Sequence, residues 1–252
     1  YTNGTRHSCV GEASKTAGFM LDASKTYLAE AFIGQATTTG DIEGDVCLEQ
    51  PLPAIDPQLI EDVLASFCGE IEQVPPMYSA LKHQGQPLYK LARAGQEVER
   101  KPRPVTIHSL DLVDWKPPLL TFKAHCSKGT YVRTLAEDIA AGLGSCAHLK
   151  NLRRIDVEPF RERDMISLEA LENAVQAGKL EQILQPVDAG LVHWQWLELD
   201  AESAIRFSHG NPVETDSDKA GLIRVRDAAG KLLGIGEMTA QKLLKPRRIM
   251  HL

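Results

Sequence analysis

The segment from Cys126 to Leu135 gives the clearest indication of a functional site in this sequence. It reads C-S-K-G-T-Y-V-R-T-L, which predicts the end of a strand, a turn at Gly129 and the start of a helix. The N–H groups of such a turn, together with Ser127 and Lys128, can hold an anion such as a phosphate group. Junctions of this kind are also common as purely structural features, so the residues alone leave both interpretations open.

Composition restricts the class of protein. Hydrophobic residues make up 43% and charged residues 25% of the 252 residues, which is typical of globular proteins. No apolar run approaches the roughly 18 residues of a membrane span, and the polar start lacks a signal peptide's apolar segment. We therefore expect a cytoplasmic protein. The five cysteines form no C-x-x-C pair, which argues against a zinc site or a disulfide framework.

The net charge of −6 is unusual for a protein that binds nucleic acid. Positive charge is nevertheless gathered in short stretches, at 100–103, 123–133, 148–154 and 242–248. Such patches can bind phosphate on a protein with an acidic total, although most charge clusters are simply solvated. Charge alone leaves open an RNA-binding protein and an acidic protein-interaction domain.

Strands and helices are both predicted around the 126–135 segment. Alternation of apolar and polar residues over 120–126 predicts a strand with one buried face, with 105–113 as its partner and 25–33 as a further strand. Helices are predicted from Pro57 to just before Gly69, and over 88–94, 134–141 and 168–177. These elements mix without a regular βαβ rhythm, so the expected fold class is α+β.

A domain boundary is predicted between Gln185 and Trp196. The following residues suggest short strands with tight turns, at 222–226, 232–238 and 248–252, with a turn at 227–230. This pattern predicts a small β-rich module of about 55 residues.

Several blocks resemble, in the same order, those of one enzyme family. The 126–135 segment resembles a signature block of the TruB family of tRNA pseudouridine synthases, and residues 21–27 resemble its L-D-x-x-K-x-Y segment. Residues 34–44 are similar to its G-x-x-T-D-T-x-D-x-x-G loop, with Thr38 in place of the usual aspartate. Residues 75–82 match P-x-x-Y-S-A-x-K, and residues 152–154 match L-R-R. The resemblance extends from about Cys9 to the C-terminus.

The resemblance implies both a fold and a reaction. The fold would be a pseudouridine-synthase-like domain with a mainly antiparallel mixed sheet and flanking helices, over residues 1–190. A small PUA-like RNA-binding domain would follow over 191–252. Enzymes of this family flip a T-loop uridine out of tRNA, break its N1–ribose bond and rejoin the base through C5. An aspartate is their nucleophile, and neither a metal nor another cofactor is implied.

The resemblance also assigns two catalytic residues. Tyr27 matches the family's active-site tyrosine, whose ring can stack on uracil and whose hydroxyl can help to remove the C5 proton. Arg153 matches its active-site arginine, since a guanidinium can hold and orient a carboxylate. Without the resemblance, Tyr27 reads as a core tyrosine and Arg153 as a surface arginine.

Five further residues are candidate contacts for the T-arm stem-loop of tRNA. Each of these cations can touch phosphate or support the fold, and the aromatic ring can stack on a base. They are Lys25, Lys82, Lys128, Tyr131 and Arg133. We expect a monomer with tRNA as its partner and no obligate protein partner.

The nucleophile's own loop is not found in the sequence. The family's G-x-L-D-P-x-A-T-G loop should lie just before Cys9, but residues 1–8 read Y-T-N-G-T-R-H-S and contain no aspartate. Asp22 and Asp41 match other positions of the family. Two interpretations follow: the loop exists in the molecule outside the sequence as given, or the chain is an inactive tRNA-binding or tRNA-folding protein.

Overall fold

The computed structural model describes residues 2–4 and 8–252, with only the backbone described for 2–4. The described residues form two compact units. The first comprises 2–4 and Asp22–Val157, and the second comprises 8–21 and Glu158–Leu252. The sequence predicted a boundary between a catalytic and an RNA-binding domain at residue 190. That functional boundary stays a prediction.

The first unit is built around a six-stranded sheet with the strand order β1-β10-β2-β9-β8-β5. Only the β1–β10 pair is parallel, and the other neighbours run antiparallel, as predicted for a mainly antiparallel mixed sheet. Its elements are β1 Thr2–Gly4, β2 Lys25–Ile33, β3 Gln35–Thr37, β4 Val46–Glu49, α1 Pro57–Ser66, β5 Gly69–Gln73, β6 Lys82–His83, β7 Gln86–Pro87, α2 Leu88–Arg93, β8 Arg103–Lys116, β9 Leu119–Cys126, α3 Val132–Gly142 and β10 Ala147–Val157.

One face of the sheet forms the core. In β9, Leu120, Phe122, Ala124 and Cys126 are fully buried, which confirms the predicted alternation. Their partners across the ladder in β2 include Ala29 and Ala31, which are also buried. Helices α1 and α3 contribute apolar side chains to the same cluster. Because residues directly opposite one another in a sheet share a face, this register decides which functional side chains lie on the core side.

The predicted helices are present, with small changes at their ends. The Asp56 carboxylate accepts a hydrogen bond from the Leu59 N–H at 2.8 Å and begins α1 as expected. That helix ends at Ser66 rather than running on to Gly69, which instead opens β5 with φ +103°. Ser167 caps the helix α4 Leu168–Gln176 through the N–H of Ala170.

The second unit contains a five-stranded sheet with the order β11-β13-β14-β15-β12. The strand predicted at 232–238 is confirmed, whereas the closing strand begins at Leu243 rather than at residue 248. A turn at Lys242, with φ +59°, lets it begin earlier. Its elements after α4 are β11 Trp196–Leu199, α5 Ala201–Ser208, β12 Val213–Glu214, β13 Gly221–Asp227, β14 Leu232–Met238 and β15 Leu243–Ile249.

Helix α5 was not predicted. It is capped by Asp200, which accepts from the Ser203 N–H at 2.9 Å, and it buries Ala204 and Phe207. Short 3-10 helices make up much of the rest of this unit, at Gly11–Lys15, Ala17–Met20, Glu162–Asp164, Leu180–Gln182 and Ala189–Leu191. Across the described residues, no helix has both the length and the apolar character needed to span a membrane.

Candidate active site

Tyr27 lies on β2 at the margin of the core face, where its ring packs against the core cluster. Its partners across the ladder are Ala124 in β9 and Arg154 in β10. The Arg154 side chain faces the Tyr27 phenol from the adjacent strand, and its positive charge acts on that phenol. Burial, reinforced by Cys126, raises the pKa of the Tyr27 phenol, and Arg154 opposes that rise. The phenol is thus half-buried and lies beside a cation.

Arg153 does not lie beside the Tyr27 phenol. In the β10–β2 ladder it lies opposite Leu28, whereas Arg154 lies opposite Tyr27. Since successive strand residues point to opposite faces, Arg153 projects from the face away from Tyr27, and its side chain is exposed. The structure therefore does not bring together the two residues predicted to be catalytic. The arginine beside Tyr27 is Arg154, which the sequence analysis did not select.

Lys25 lies near Tyr27, on the same face of β2. Its ammonium donates to the carbonyl of Ala23 at 2.6 Å. Burial and the neighbouring Arg154 lower the pKa of Lys25. Opposite it in β9 is Cys126, whose thiol pKa is raised to about 11 because the group is buried. Lys25 and Arg154 therefore make this end of the core face cationic.

The turn after β9 has the conformation predicted for the 126–135 segment. Gly129 has φ +82°, and the Thr130 hydroxyl donates to the Ser127 carbonyl at 3.0 Å. Lys128 is exposed, and its ammonium forms an ion pair with Asp22 at 2.7 Å. Any contact of Lys128 with phosphate would compete with that carboxylate.

Tyr131 is fixed at the start of α3 through its backbone. Its N–H donates to the side-chain oxygen of Gln73 at 3.0 Å, and the Gln73 amide donates back to the Tyr131 carbonyl at 3.4 Å. Gln73 is only 2% exposed, so these bonds are shielded from water. The half-buried ring of Tyr131 is thereby held in a defined place.

Arg133 connects three segments of the chain that are distant in sequence. Its guanidinium donates to the Asp41 carboxylate at 2.9 Å, to the Thr39 carbonyl at 3.0 Å and to the Tyr78 carbonyl at 2.6 Å. The side chains of Arg133 and Asp41 are 22% and 19% exposed. In this structure Arg133 thus holds a carboxylate, the function that the resemblance assigned to Arg153. The resemblance places Asp41 at a family position other than that of the nucleophile, so Asp41 was not among the predicted site residues.

The loop that carries Asp41 packs closely on α3. Gly40 has φ +72°, and a Cβ at this position would lie 2.5 Å from a carboxylate oxygen of Glu137. Burial, together with the neighbouring Asp138, raises the pKa of Glu137, and Arg133 opposes that rise. A side chain at position 40 would therefore disturb both the loop and the Arg133–Asp41 pair.

Lys82 lies on the short strand β6, exposed to solvent. None of the contacts described above includes it. In the part of the chain described by the structure, no cluster of histidine, cysteine or carboxylate side chains could hold a metal ion. Among the residues described by the structure, the groups that act on the Tyr27 phenol are Cys126 and Arg154, neither of which is a carboxylate.

Family models match almost the whole chain. Residues 3–132 match the N-terminal domain of TruB family pseudouridylate synthases, and residues 133–192 match the C-terminal domain of tRNA pseudouridylate synthase B. Residues 196–250 match the model described as "Pseudouridine synthase II TruB, C-terminal".

Relatives with this architecture are similar over nearly the full chain. The chain is 48% identical over 247 residues to tRNA pseudouridine synthase B of Pseudomonas aeruginosa, a match covering 96% of this chain and 81% of the relative. It is 46% identical over 244 residues to the protein of the same name in Dechloromonas aromatica, covering 97% and 81%. The Stutzerimonas stutzeri protein is 45% identical over 247 residues, again covering 96% and 81%.

Solved structures show the same fold at lower identity. A Cbf5–Nop10–Gar1 complex contains a chain with a TM-score of 0.70 and 20% identity, covering 95% of this chain and 70% of that one. An H/ACA ribonucleoprotein bound to a substrate RNA gives a TM-score of 0.70 at 18% identity, covering 96% and 71%. The family models and the identity to the bacterial relatives show that the chain belongs to the TruB family of pseudouridine synthases.

Proposed function

We propose that this protein is a tRNA pseudouridine synthase that isomerises a uridine in the T-loop of tRNA. The observation that carries the proposal is the 48% identity to a protein named tRNA pseudouridine synthase B across 96% of the chain. The reaction moves the ribose from N1 to C5 of the same uracil and needs no redox partner. The substrate would be the T-arm, read through its shape, its phosphates and unstacked loop bases.

Tyr27 is proposed as the residue that stacks on the flipped uracil. Three features support this: its position at the margin of the sheet's core face, its half-buried ring and the cation beside its hydroxyl. A half-buried ring can stack on a base through its free face while its other face stays packed. The hydroxyl would then receive the C5 proton.

The arginine that orients the nucleophile is best assigned by geometry. Arg153 was the candidate from the resemblance, but its position opposite Leu28 does not favour it. Arg133 already holds the Asp41 carboxylate, which supports it as the residue that organises carboxylates in this site. Alanine variants of both arginines separate the two assignments. Replacing the arginine that orients the nucleophile should lower single-turnover conversion more than it lowers tRNA affinity. Replacing the other arginine should not have this selective effect on conversion.

RNA contacts are proposed for Lys25, Lys82, Lys128 and Tyr131. The support for Lys25 is the cationic end of the core face, and for Tyr131 it is the fixed start of α3. Lys128 would exchange Asp22 for a phosphate. If these contacts are made, affinity for tRNA falls as salt rises, because binding releases counterions. We further propose a monomeric enzyme, which sedimentation of the free protein would test.

The nucleophile is the part of the proposal that the given sequence does not supply. Residues 1–8 contain no aspartate, and the groups of the described residues that act on the Tyr27 phenol include no carboxylate. The proposal therefore requires an aspartate loop outside the sequence as given. The intact mass of the purified protein tests this requirement, because the 252 residues account for 27.7 kDa. A mass equal to that value, with tRNA binding but no conversion, would favour the inactive tRNA-binding alternative.

A further inference from the structure

We propose that Arg154 is a positioning residue that holds the Tyr27 hydroxyl for proton transfer at C5 of the uracil. The inference rests on the proposed function, because it assigns a partner to the tyrosine of that reaction. It starts from the ladder between β10 and β2, in which Arg154 lies directly opposite Tyr27. The two side chains share the core face of the sheet, and the charge of the guanidinium acts on the phenol.

The surroundings leave this hydroxyl little freedom. The Tyr27 ring packs against the core cluster, so it cannot turn away without exposing apolar surface. A half-buried hydroxyl also loses much of its water, and a protein donor must replace it. We infer that Arg154 supplies that donor, because it lies directly opposite Tyr27 on the adjacent strand. A hydrogen bond from its guanidinium would set the direction of the oxygen's remaining lone pair.

The charges around the phenol support a role in proton transfer. Within the described part of the chain, the groups facing Tyr27 are Cys126 from β9 and Arg154 from β10, with Lys25 on its own strand. Burial raises the pKa of Tyr27, whereas the Arg154 guanidinium acts to lower it. A cation donating to the oxygen stabilises the phenolate, the form that accepts a proton.

In the proposed step, the Tyr27 phenolate removes the proton from C5 after the ribose has been attached there. The C5–H bond breaks and its electron pair forms the ring's C5–C6 double bond. The pair of the C6–N1 double bond moves to N1, which takes up a proton from solvent. The phenolate becomes a neutral phenol, and its proton later returns to solvent. Arg154 keeps its charge throughout and stabilises the oxygen while it is anionic. No oxidant, reductant or further reactant is needed.

The first test does not depend on activity. The protein is labelled with carbon-13 at the tyrosine ring carbon that bears the hydroxyl, and the Tyr27 signal is assigned by its loss in Tyr27→Phe. Its titration is then followed in the wild type, in Arg154→Ala and in Arg153→Ala. We expect Arg154→Ala to move the Tyr27 midpoint to higher pH, and the neighbouring Arg153→Ala to leave it in place. Equal midpoints in all three proteins would overturn the proposal.

The second test is a double-mutant cycle on the single-turnover rate with a T-arm hairpin. We expect Arg154→Ala to slow conversion about 10- to 100-fold, the effect of one charge-assisted hydrogen bond, with affinity nearly unchanged. The same change in a Tyr27→Phe background should have little further effect. Arg154→Lys, which keeps the charge and one donor, should recover part of the rate.

The outcomes of the two tests are distinguishable. An equal loss in both backgrounds, or a loss of affinity alone, would show that Arg154 acts elsewhere and would overturn the inference. If no variant and no wild-type protein converts the hairpin, the proposed function fails. The titration then still shows whether Arg154 controls the Tyr27 phenol.

Discussion

The Arg133–Asp41 pair offers the sharpest perturbation of the candidate site. Asp41→Asn replaces the carboxylate that accepts from Arg133 at 2.9 Å with an amide of nearly the same shape. Arg133 keeps its bonds to the carbonyls of Thr39 and Tyr78 but loses its counter-charge. The loop that carries Asp41 should therefore open more often, although the rest of the first unit stays folded.

The magnitude follows from burial. An exposed ion pair contributes about 0–1 kcal/mol. Breaking a fully buried pair costs about 3–5 kcal/mol. With side chains 22% and 19% exposed, this pair lies between these limits. An intermediate cost of about 2 kcal/mol corresponds to local opening that is roughly 30-fold more frequent, since about 1.4 kcal/mol is a factor of ten.

Amide hydrogen exchange measures this opening directly. The loop is held to β10 by the Leu149 N–H donating to Gly40 and by the Ile42 N–H donating to Leu149, both at 2.9 Å. These two amides should exchange roughly 30-fold faster in Asp41→Asn. Asp45→Asn is the matched control, because it removes the same charge from an exposed position in the same loop. Equal exchange in the two variants would refute the assigned role of the pair.

Three other perturbations test different parts of the account. Tyr27→Phe should sharply reduce turnover on a T-arm hairpin while largely preserving its affinity, and wild-type turnover would remove the residue from the mechanism. Phe122→Ala should lower the free energy of unfolding of the first unit by about 3–5 kcal/mol in urea, because Phe122 is fully buried. Burial alone would raise the pKa of Asp188, but hydrogen bonds from Arg226 and Arg224 outweigh it, so the pKa is lowered. Its contribution to stability is then present above the unfolded pKa of about 3.9 and lost as the pH falls through the lower folded value. Thermal unfolding of Asp188→Asn should accordingly be depressed at neutral pH and approach the wild type in acid, whereas a constant difference would contradict the linkage.

Much of the first unit could be predicted because short stretches of sequence indicate its strands and helices. The alternation over 120–126 reports one buried face, and Asp56–Pro57 combines a cap with a residue suited to the first helical turn. Both predictions are confirmed by β9 and α1. Helix α5 carried a similar signal in Asp200, which caps it three residues before Ser203. The surrounding pattern of short strands and turns indicated a small β-rich module, so no helix was predicted there.

The geometry of the site could not be predicted in the same way. Whether Arg153 or Arg154 faces Tyr27 depends on a one-residue register in β10. That register is interrupted by irregularities between Leu149 and Asn151 and between Arg154 and Asp156. Each such irregularity reverses the alternation of faces, and nothing in the sequence shows where it falls.

The Arg133–Asp41 pair could not be predicted from the sequence for a different reason. The two residues are 92 positions apart, so no local pattern connects them. Only the packing of the loop on α3, with Gly40 against Glu137, brings them together. Sequence resemblance located the blocks correctly, but it could not assign the carboxylate-holding arginine among several candidates.

The central claim is tested most directly by measuring pseudouridine in a T-arm hairpin after incubation with the full protein. Release of tritium from uridine labelled at C5 reports the exchange of the C5–H bond for the new C5–ribose bond, and digestion of the product identifies the nucleoside. The expected result is stoichiometric conversion of one T-loop uridine, with Tyr27→Phe as a control that converts it far more slowly. Salt-sensitive binding of the hairpin with no pseudouridine after prolonged incubation would contradict it.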